Sequence, residues 1–493
     1  MKSMKPILLM LLAPVLWSQA GDTTEKARRA AELVLAGKPE EAIPLYRDLV
    51  RALPNDGGIL LNLSIAEFKA KRYGDAAAHA DAVLKIQPDS PVANLFLGSS
   101  YEELGKYAMA LEPLEKVLAF RPQDRNARLM LAEALLNLER YEQAVAQFEN
   151  ARDLVPENPK VWYGLGRAYE GLSEKLFQQL ETANPESPYW HALAADSYLK
   201  QRRYGSAFTH YRLALAGNAT LSGVHAGLST VYERTGHADW ANIESQREQQ
   251  SAPDCSKGGL VCDFAERRFR EIIQPGKSLT TPETQYWTCK AYAEMAREAY
   301  ARLLQMPPSL EAHLHKAKTL EASALAREAA VEWREALRLA PDDLRIGTAL
   351  AWSLYRAGEL DSALPILREL LSNGTNTREL NFLYGATLLN LDEPEKAIPF
   401  LESVIRLDNT FLPAHAALGQ ALLQIGKPML AIRYLKAALP EDEDATTHFG
   451  LFRAYQLTGQ TDLAAHAKVE YQEALSAAET NQRLQETGAI GAP

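Results

Sequence analysis

Thirty-four residues separate Pro54 from Pro88, Pro88 from Pro122 and Pro122 from Pro156, and Ala42, Ala76, Ala110 and Ala144 keep the same step. The step returns at Ala329, Ala363, Ala397, Ala431 and Ala465 after a central region where it is irregular. Self-similarity at a fixed period constrains a fold more tightly than any local propensity, because every copy faces the same packing problem. One copy, Pro91 to Pro122, reads as two short helices. Leu97, Gly98 and Tyr101 share a face of the first, and Ala110, Leu114 and Val117 share a face of the second. Leu104, Gly105 and Lys106 fall between them, and Pro122 closes the pair because proline cannot continue a helix. Neither helix can bury its apolar face alone, so the copies must stack.

Spacing and residue types together resemble the tetratricopeptide repeat. The family's W-x2-L-G-x2-Y opening stands as Trp162, Leu165, Gly166 and Tyr169, and its later A-x3-F as Ala144 and Phe148. The resemblance covers nearly the whole mature chain. It implies an all-α fold, a right-handed α-solenoid of about 11–12 helix-turn-helix repeats with a non-repeat insertion near 251–283. The expected organisation is a signal peptide over 1–20, an N-terminal array over 21–250, the cysteine-containing insertion over 251–283, a C-terminal array over 284–475 and a flexible tail over 476–493.

The first copy has a polar first helix around Lys26 and Arg29, as a solvent-facing cap requires. The fifth begins with the Trp162 signature, yet only twenty-six residues separate Pro159 from Pro185. Its second helix is missing or fused, and no turn residue interrupts the chain after Gly171, so a single long helix is expected. Tyr286, Trp287, Lys290, Ala291 and Tyr292 echo Trp162, Tyr163, Arg167, Ala168 and Tyr169, and a second long helix is expected to end at Pro307. The irregular copy therefore occurs twice, which suggests duplication of a larger block.

The chain opens with Lys2 and Lys5 before an apolar run from Pro6 to Trp17, then Ser18 and Ala20 at small-x-small spacing. That run is shorter than the roughly 20 residues a membrane span needs, so a cleaved signal peptide ending at Ala20 and a periplasmic or secreted protein are expected. No stable membrane insertion is expected once the signal is removed. Formal charge is −10, or −12 once Lys2 and Lys5 are removed, which argues against nucleic acid. Oxidising surroundings make a disulfide plausible. The spacing favours Cys255 with Cys262, a short loop worth roughly 2.5 kcal/mol by chain entropy, and leaves Cys262 with Cys289 as the alternative.

No motif for catalysis, a cofactor or a metal stands out. His313 and His315 form H-x-H, but on a helix they diverge by about 200°. Gly164 and Gly166 lack the third glycine of a dinucleotide loop. The acidic run Glu441 to Asp444 reads as a solvated loop.

What remains is surface. The resemblance implies that first helices line a groove for a peptide or partner protein, at positions that here are Lys160, Tyr163, Arg167, Tyr189, Asp196, Lys200, Trp352, Tyr355, Arg356 and Phe382. Aromatic and arginine side chains together are the composition of binding hot spots. The carboxylate clamp of chaperone-binding members is not matched. Asn62 suits it, but Ala27, Ala31 and Val92 stand where it needs polar or basic groups. The expected function is a non-enzymatic protein-interaction scaffold in a bacterial envelope or secretion-linked assembly, with envelope glycan as the alternative ligand. An enzyme with its site near Cys255 is the third reading.

Overall fold

A computed structural model describes residues 23–253, 255–274, 280–374, 376–486 and 490–493. The expected signal peptide, 1–20, lies outside them. The described residues form helices and turns with no strand, in consecutive helix-turn-helix pairs, as the period requires. No helix among them is long and apolar enough to cross a membrane. The chain divides into two compact units. One runs up to Ser173 and adds Tyr292–Leu303; the other comprises Glu174–Ala291 and the chain from Leu304 onward.

Three local devices recur along the regular repeats. A short polar side chain caps the first helix by accepting backbone N–H groups: Asp56 from Gly58 and Ile59, Ser90 from Ala93, Asp124 from Ala127, Asn158 from Lys160. Between the helices the backbone turns left-handed at Gly37, Lys71, Gly105 and Glu139, in step with the repeat. There the next N–H reaches back to a carbonyl of the last helical turn, as from Lys106 to Tyr101 and from Arg140 to Leu135. Gly105 adopts this conformation freely, whereas Lys71 and Glu139 carry strain of roughly 1 kcal/mol each. The third device is close approach. A Cβ at Gly98 would stand 2.7 Å from Leu114, at Gly385 2.9 Å from Leu401, and at Gly419 2.6 Å from Leu435. The repeated alanines Ala42, Ala76, Ala110 and Ala144 are fully buried beside these contacts.

The expected long helices are single helices, Pro159–Ala183 and Pro282–Leu304. Gly171 does not break the first because the Tyr141 ring fills the space where its Cβ would go, 2.4 Å away. The second helix missing from the fifth repeat is supplied from far along the chain. In a regular repeat the small residue of the first helix meets a leucine sixteen positions later, as Gly98 meets Leu114. Gly166 instead meets Tyr300, whose ring lies 2.4 Å from the position of a Cβ. The Tyr300 hydroxyl donates to Glu170 at 2.6 Å, Tyr292 stacks on Tyr169 at 6.1 Å, and Arg302 reaches Glu157 at 3.5 Å. Residues 292–303 thus occupy the second-helix place in the first unit, 134 residues from the helix they complete.

In the second unit, the insertion folds into a short 3-10 turn, Cys255–Lys257, and two short helices, Leu260–Ala265 and Phe269–Ile272. A disulfide joins Cys255 and Cys262, and Cys289 is buried outside that bridge. The segment is no external loop, since Cys262, Phe269 and Ile272 are buried and Phe264 packs 5.2 Å from Trp287. In the last repeat Ala464, not Ala465, is buried. The left-handed turn comes at Gly459, thirty-three residues after Gly426, so the register is one short. The last helix, Thr461–Glu486, also runs past the 475 boundary read from sequence, because nothing from Ala477 to Arg483 breaks it. It packs along the helix Tyr204–Gly217, and the Tyr232 hydroxyl donates to the Gly491 carbonyl at 2.8 Å, so part of the expected flexible tail has a partner.

Replacing Tyr300 by alanine should therefore destabilise the chain by about 3 kcal/mol, as large-to-small core changes do. Gly166→Leu should cost about 1–3 kcal/mol through overpacking against the ring. Thermal melting of both variants checks this, and melting points indistinguishable from the parent would remove the second-helix assignment.

Candidate functional site

In the first unit, Lys160 is exposed with its ammonium 3.5 Å from Glu133. Glu133 in turn faces Glu102, whose carboxyl is raised above the ordinary range by burial and by that neighbouring acid. Tyr163 is partly buried, 6.3 Å from Tyr300, and the Arg167 guanidinium lies 5.9 Å over its ring. Tyr163 thus shares in the packing that completes the fifth repeat, while Arg167 keeps a partly exposed charge.

In the second unit, Tyr189 and Asp196 are drawn inward. Tyr189 packs 5.4 Å from Tyr286. Asp196 accepts from the Tyr211 hydroxyl at 2.6 Å and lies 3.5 Å from the Lys290 ammonium, which is 3.4 Å from the Tyr286 hydroxyl. Burial alone would depress Lys290, but the charge of Asp196 and the oxygen of Tyr286 more than offset it, so the ammonium is retained. Burial raises the Tyr286 phenol to about 12. Asp196 is therefore committed to a partly buried ion pair, and Lys200 alone of the neighbouring predicted residues stands exposed. The H-x-H residues do not converge: His313 Nδ1 lies 2.6 Å from Glu332, and among the described residues no group of three or more His, Cys, Asp or Glu is placed to hold a metal.

A concave feature lined by successive first helices lies in the later repeats. A cavity of about 490 Å3 is lined by Tyr355, by Phe382, Leu389 and Asn390, by Pro413, Ala416 and Gln420, and by the segment from Glu441 to Thr447. These belong to the helices Leu344–Arg356, Arg378–Asn390 and Leu412–Gln424 and to the start of Thr446–Leu457, the first helices of successive repeats. The period explains the placement, since Phe382 and Ala416, like Ala386 and Gln420, are thirty-four apart and share one face. The floor is aromatic. Phe382 lies 6.3 Å from Trp352 and 5.1 Å from Phe411, and Trp352 lies 6.0 Å from Tyr355. Asn390 donates to the Tyr355 hydroxyl at 3.1 Å, and burial keeps that phenol above its ordinary range and therefore neutral. Trp352 supports Phe382 from outside the lining, and Arg356 is exposed beyond it.

The acidic run completes the rim. A 3-10 turn, Leu439–Glu441, lengthens the link between repeats, and Asp442 then fixes it by accepting the N–H of Thr447 at 3.0 Å and of His448 at 2.8 Å, with His448 Nδ1 2.5 Å away. Burial works against the Asp442 charge, but these donors hold its carboxyl below the usual range. Asp444 caps the same helix by accepting the Thr446 N–H at 2.9 Å. Glu441 and Glu443 keep exposed carboxylates on the same rim. From sequence these acids read as a solvated loop, and the signal that links them to the groove is positional: they directly precede a first helix.

Because the folded pKa of Asp442 is depressed, its contribution is complete above the ordinary carboxylate value of ~4 and is lost as pH falls through the depressed value. Asp442→Asn should thus cost roughly 1–2 kcal/mol at pH 7. The gap between parent and variant melting points should close on titration toward pH 2; a gap independent of pH would show that the charge contributes nothing.

Comparison with known proteins gives one set of matches across these repeats. The family model described as "Tetratricopeptide repeat" matches residues 28–91, 129–174 and 348–410, and the model described as "Anaphase-promoting complex, cyclosome, subunit 3" matches residues 69–151. Cellulose synthase operon protein C of Pseudomonas fluorescens (strain SBW25) is 28% identical over 108 residues, which is 22% of this chain and 8% of that protein's length. Among solved structures, MamA from Desulfovibrio magneticus RS-1 aligns at 17% identity over 35% of this chain and 96% of its own, with a TM-score of 0.30. A thermophilic repeat protein of Thermus thermophilus aligns at 20% identity over 37% of this chain and 97% of its own, also with a TM-score of 0.30.

Proposed function

The chain is a tetratricopeptide-repeat protein, and from that premise we propose that it is a scaffold binding an extended segment of a partner protein along the first helices of its later repeats. The observation that carries this reading is the cavity of about 490 Å3, onto which side chains from consecutive first helices converge, with Tyr355, Phe382 and Gln420 only partly buried. Phe382, Tyr355 and Leu389 offer apolar area, and Asn390 and Gln420 offer hydrogen bonds that can fix a peptide backbone. An aromatic anchor within a polar surround is the usual make-up of a binding hot spot. Sub-sites at thirty-four-residue steps suit an extended ligand better than a compact one.

The setting proposed is an envelope or secretion-linked assembly. Its support is the charged, then apolar, then small-residue order of residues 2–20, and the disulfide in the insertion, which persists in oxidising compartments. A mature protein beginning at Gly21 in a periplasmic or culture fraction is the expected result of N-terminal sequencing.

Ala416→Arg fills the cavity without removing a core contact, so it separates binding from folding. Partner captured from an envelope extract by the immobilised chain should fall about thirtyfold with Ala416→Arg, the scale of a hot-spot loss. Phe382→Ala should act in the same direction with a lowered melting point. Undiminished capture by a normally folded Ala416→Arg variant would refute the groove as the partner site.

A further inference from the structure

The rim and floor of the groove differ in character, and the difference specifies the ligand. All four residues of Glu441–Asp444 line the cavity, whereas among the described residues no lysine, arginine or histidine does. Asp442 and Asp444 are spent on capping the helix Thr446–Leu457, which fixes the loop in place. Glu441 and Glu443 are exposed on that fixed loop. The same cavity is lined by the rings of Phe382 and Tyr355. The same unit shows what such a pair of components accepts. The Arg378 guanidinium sits 4.9 Å over the Phe411 ring while its other edge reaches the Asp408 carboxylate at 2.6 Å. Hydrogen bonds from Thr410 and from Arg378 hold Asp408 at about 2, so it stays charged. Phe411 is 5.1 Å from Phe382, so this internal arginine lies beside the groove.

Resting on the groove as the partner site, we propose that it selects a basic segment, one in which lysine or arginine alternates with apolar residues. The apolar side chains occupy the floor, and each cation meets a ring face and a glutamate together, the combination that a guanidinium or ammonium favours. Acidic segments are repelled by the exposed carboxylates of Glu441 and Glu443. Exposed carboxylates are screened by salt, so the preference should weaken as ionic strength rises.

The test uses three fluorescein-labelled twelve-residue peptides of alternating Lys/Leu, Ser/Leu and Glu/Leu, with binding to the full mature chain followed by anisotropy. Lys/Leu should bind at least about tenfold tighter than Glu/Leu at low salt. Glu441→Gln/Glu443→Gln should reduce Lys/Leu binding about fivefold and leave Ser/Leu unchanged. Glu328→Gln/Glu395→Gln removes the same charge from exposed positions away from the cavity and should leave all three unchanged. Equal affinities for Lys/Leu and Glu/Leu, or an equal response to the two double variants, would overturn the charge selection. The groove reading itself fails separately, when Ala416→Arg leaves both partner capture and every peptide unaffected.

Discussion

Several repeats of this chain depend on a helix approaching its neighbour more closely than a side chain would allow. Gly98 against Leu114, Gly385 against Leu401 and Gly419 against Leu435 are one contact repeated. A lone helix of thirteen or fourteen residues is marginal in water, so its stability comes from the face it buries. The consequence is clearest where the local partner is absent. Gly166 presents the same bare surface, and the ring of Tyr300 covers it from 134 residues away. The need to fill that surface, rather than sequence proximity, decides what the fifth repeat contains.

The same requirement sorts the candidate binding residues into those the fold consumes and those it leaves over. Asp196 lies on a first helix as a groove residue should, yet Tyr211 and Lys290 engage it in a partly buried pair. Those contacts tie the helix Pro188–Lys200 to Tyr211 and Lys290 and take Asp196 out of the set free for a partner. Tyr163 is drawn toward Tyr300. In the later repeats the second helices are local and complete, and Tyr355, Phe382 and Gln420 are left facing an open cavity. Regular repeats release surface for binding, and irregular ones spend it on their own closure.

The acidic rim depends on a local detail of helix capping. Where other first helices begin with a single short cap such as Ser90 or Asp124, the helix Thr446–Leu457 uses Asp442 and Asp444 at the end of a lengthened link. The 3-10 turn takes the place of the last turn of the helix Pro428–Ala438, so the non-helical link is longer while the register falls one residue short, with Ala464 rather than Ala465 in the core. Glu441 and Glu443 on that link line the same cavity as the aromatic side chains of the preceding repeats. Arg378 between Phe411 and Asp408 shows that this chain already uses such an arrangement to hold a cation.

The helix pairs, their caps and their turns were legible in the sequence, because each is set by residues within a few positions of one another and the period repeats the message. Pro88, Ala110 and Gly98 could be placed from spacing alone, and so could the two long helices, since nothing interrupts them. Half of the candidate site was legible for the same reason: Tyr355 and Phe382 follow from their positions on first helices. The pairing of Tyr300 with Gly166, the capture of Asp196 by Lys290 and the meeting of Glu441 with Phe382 were not. Those contacts join residues that no period relates, and burial and charge compensation select them only once the helices have stacked. Sequence alone determined what each repeat is; tertiary structure decided which repeats complete one another and which side chains remain for a partner.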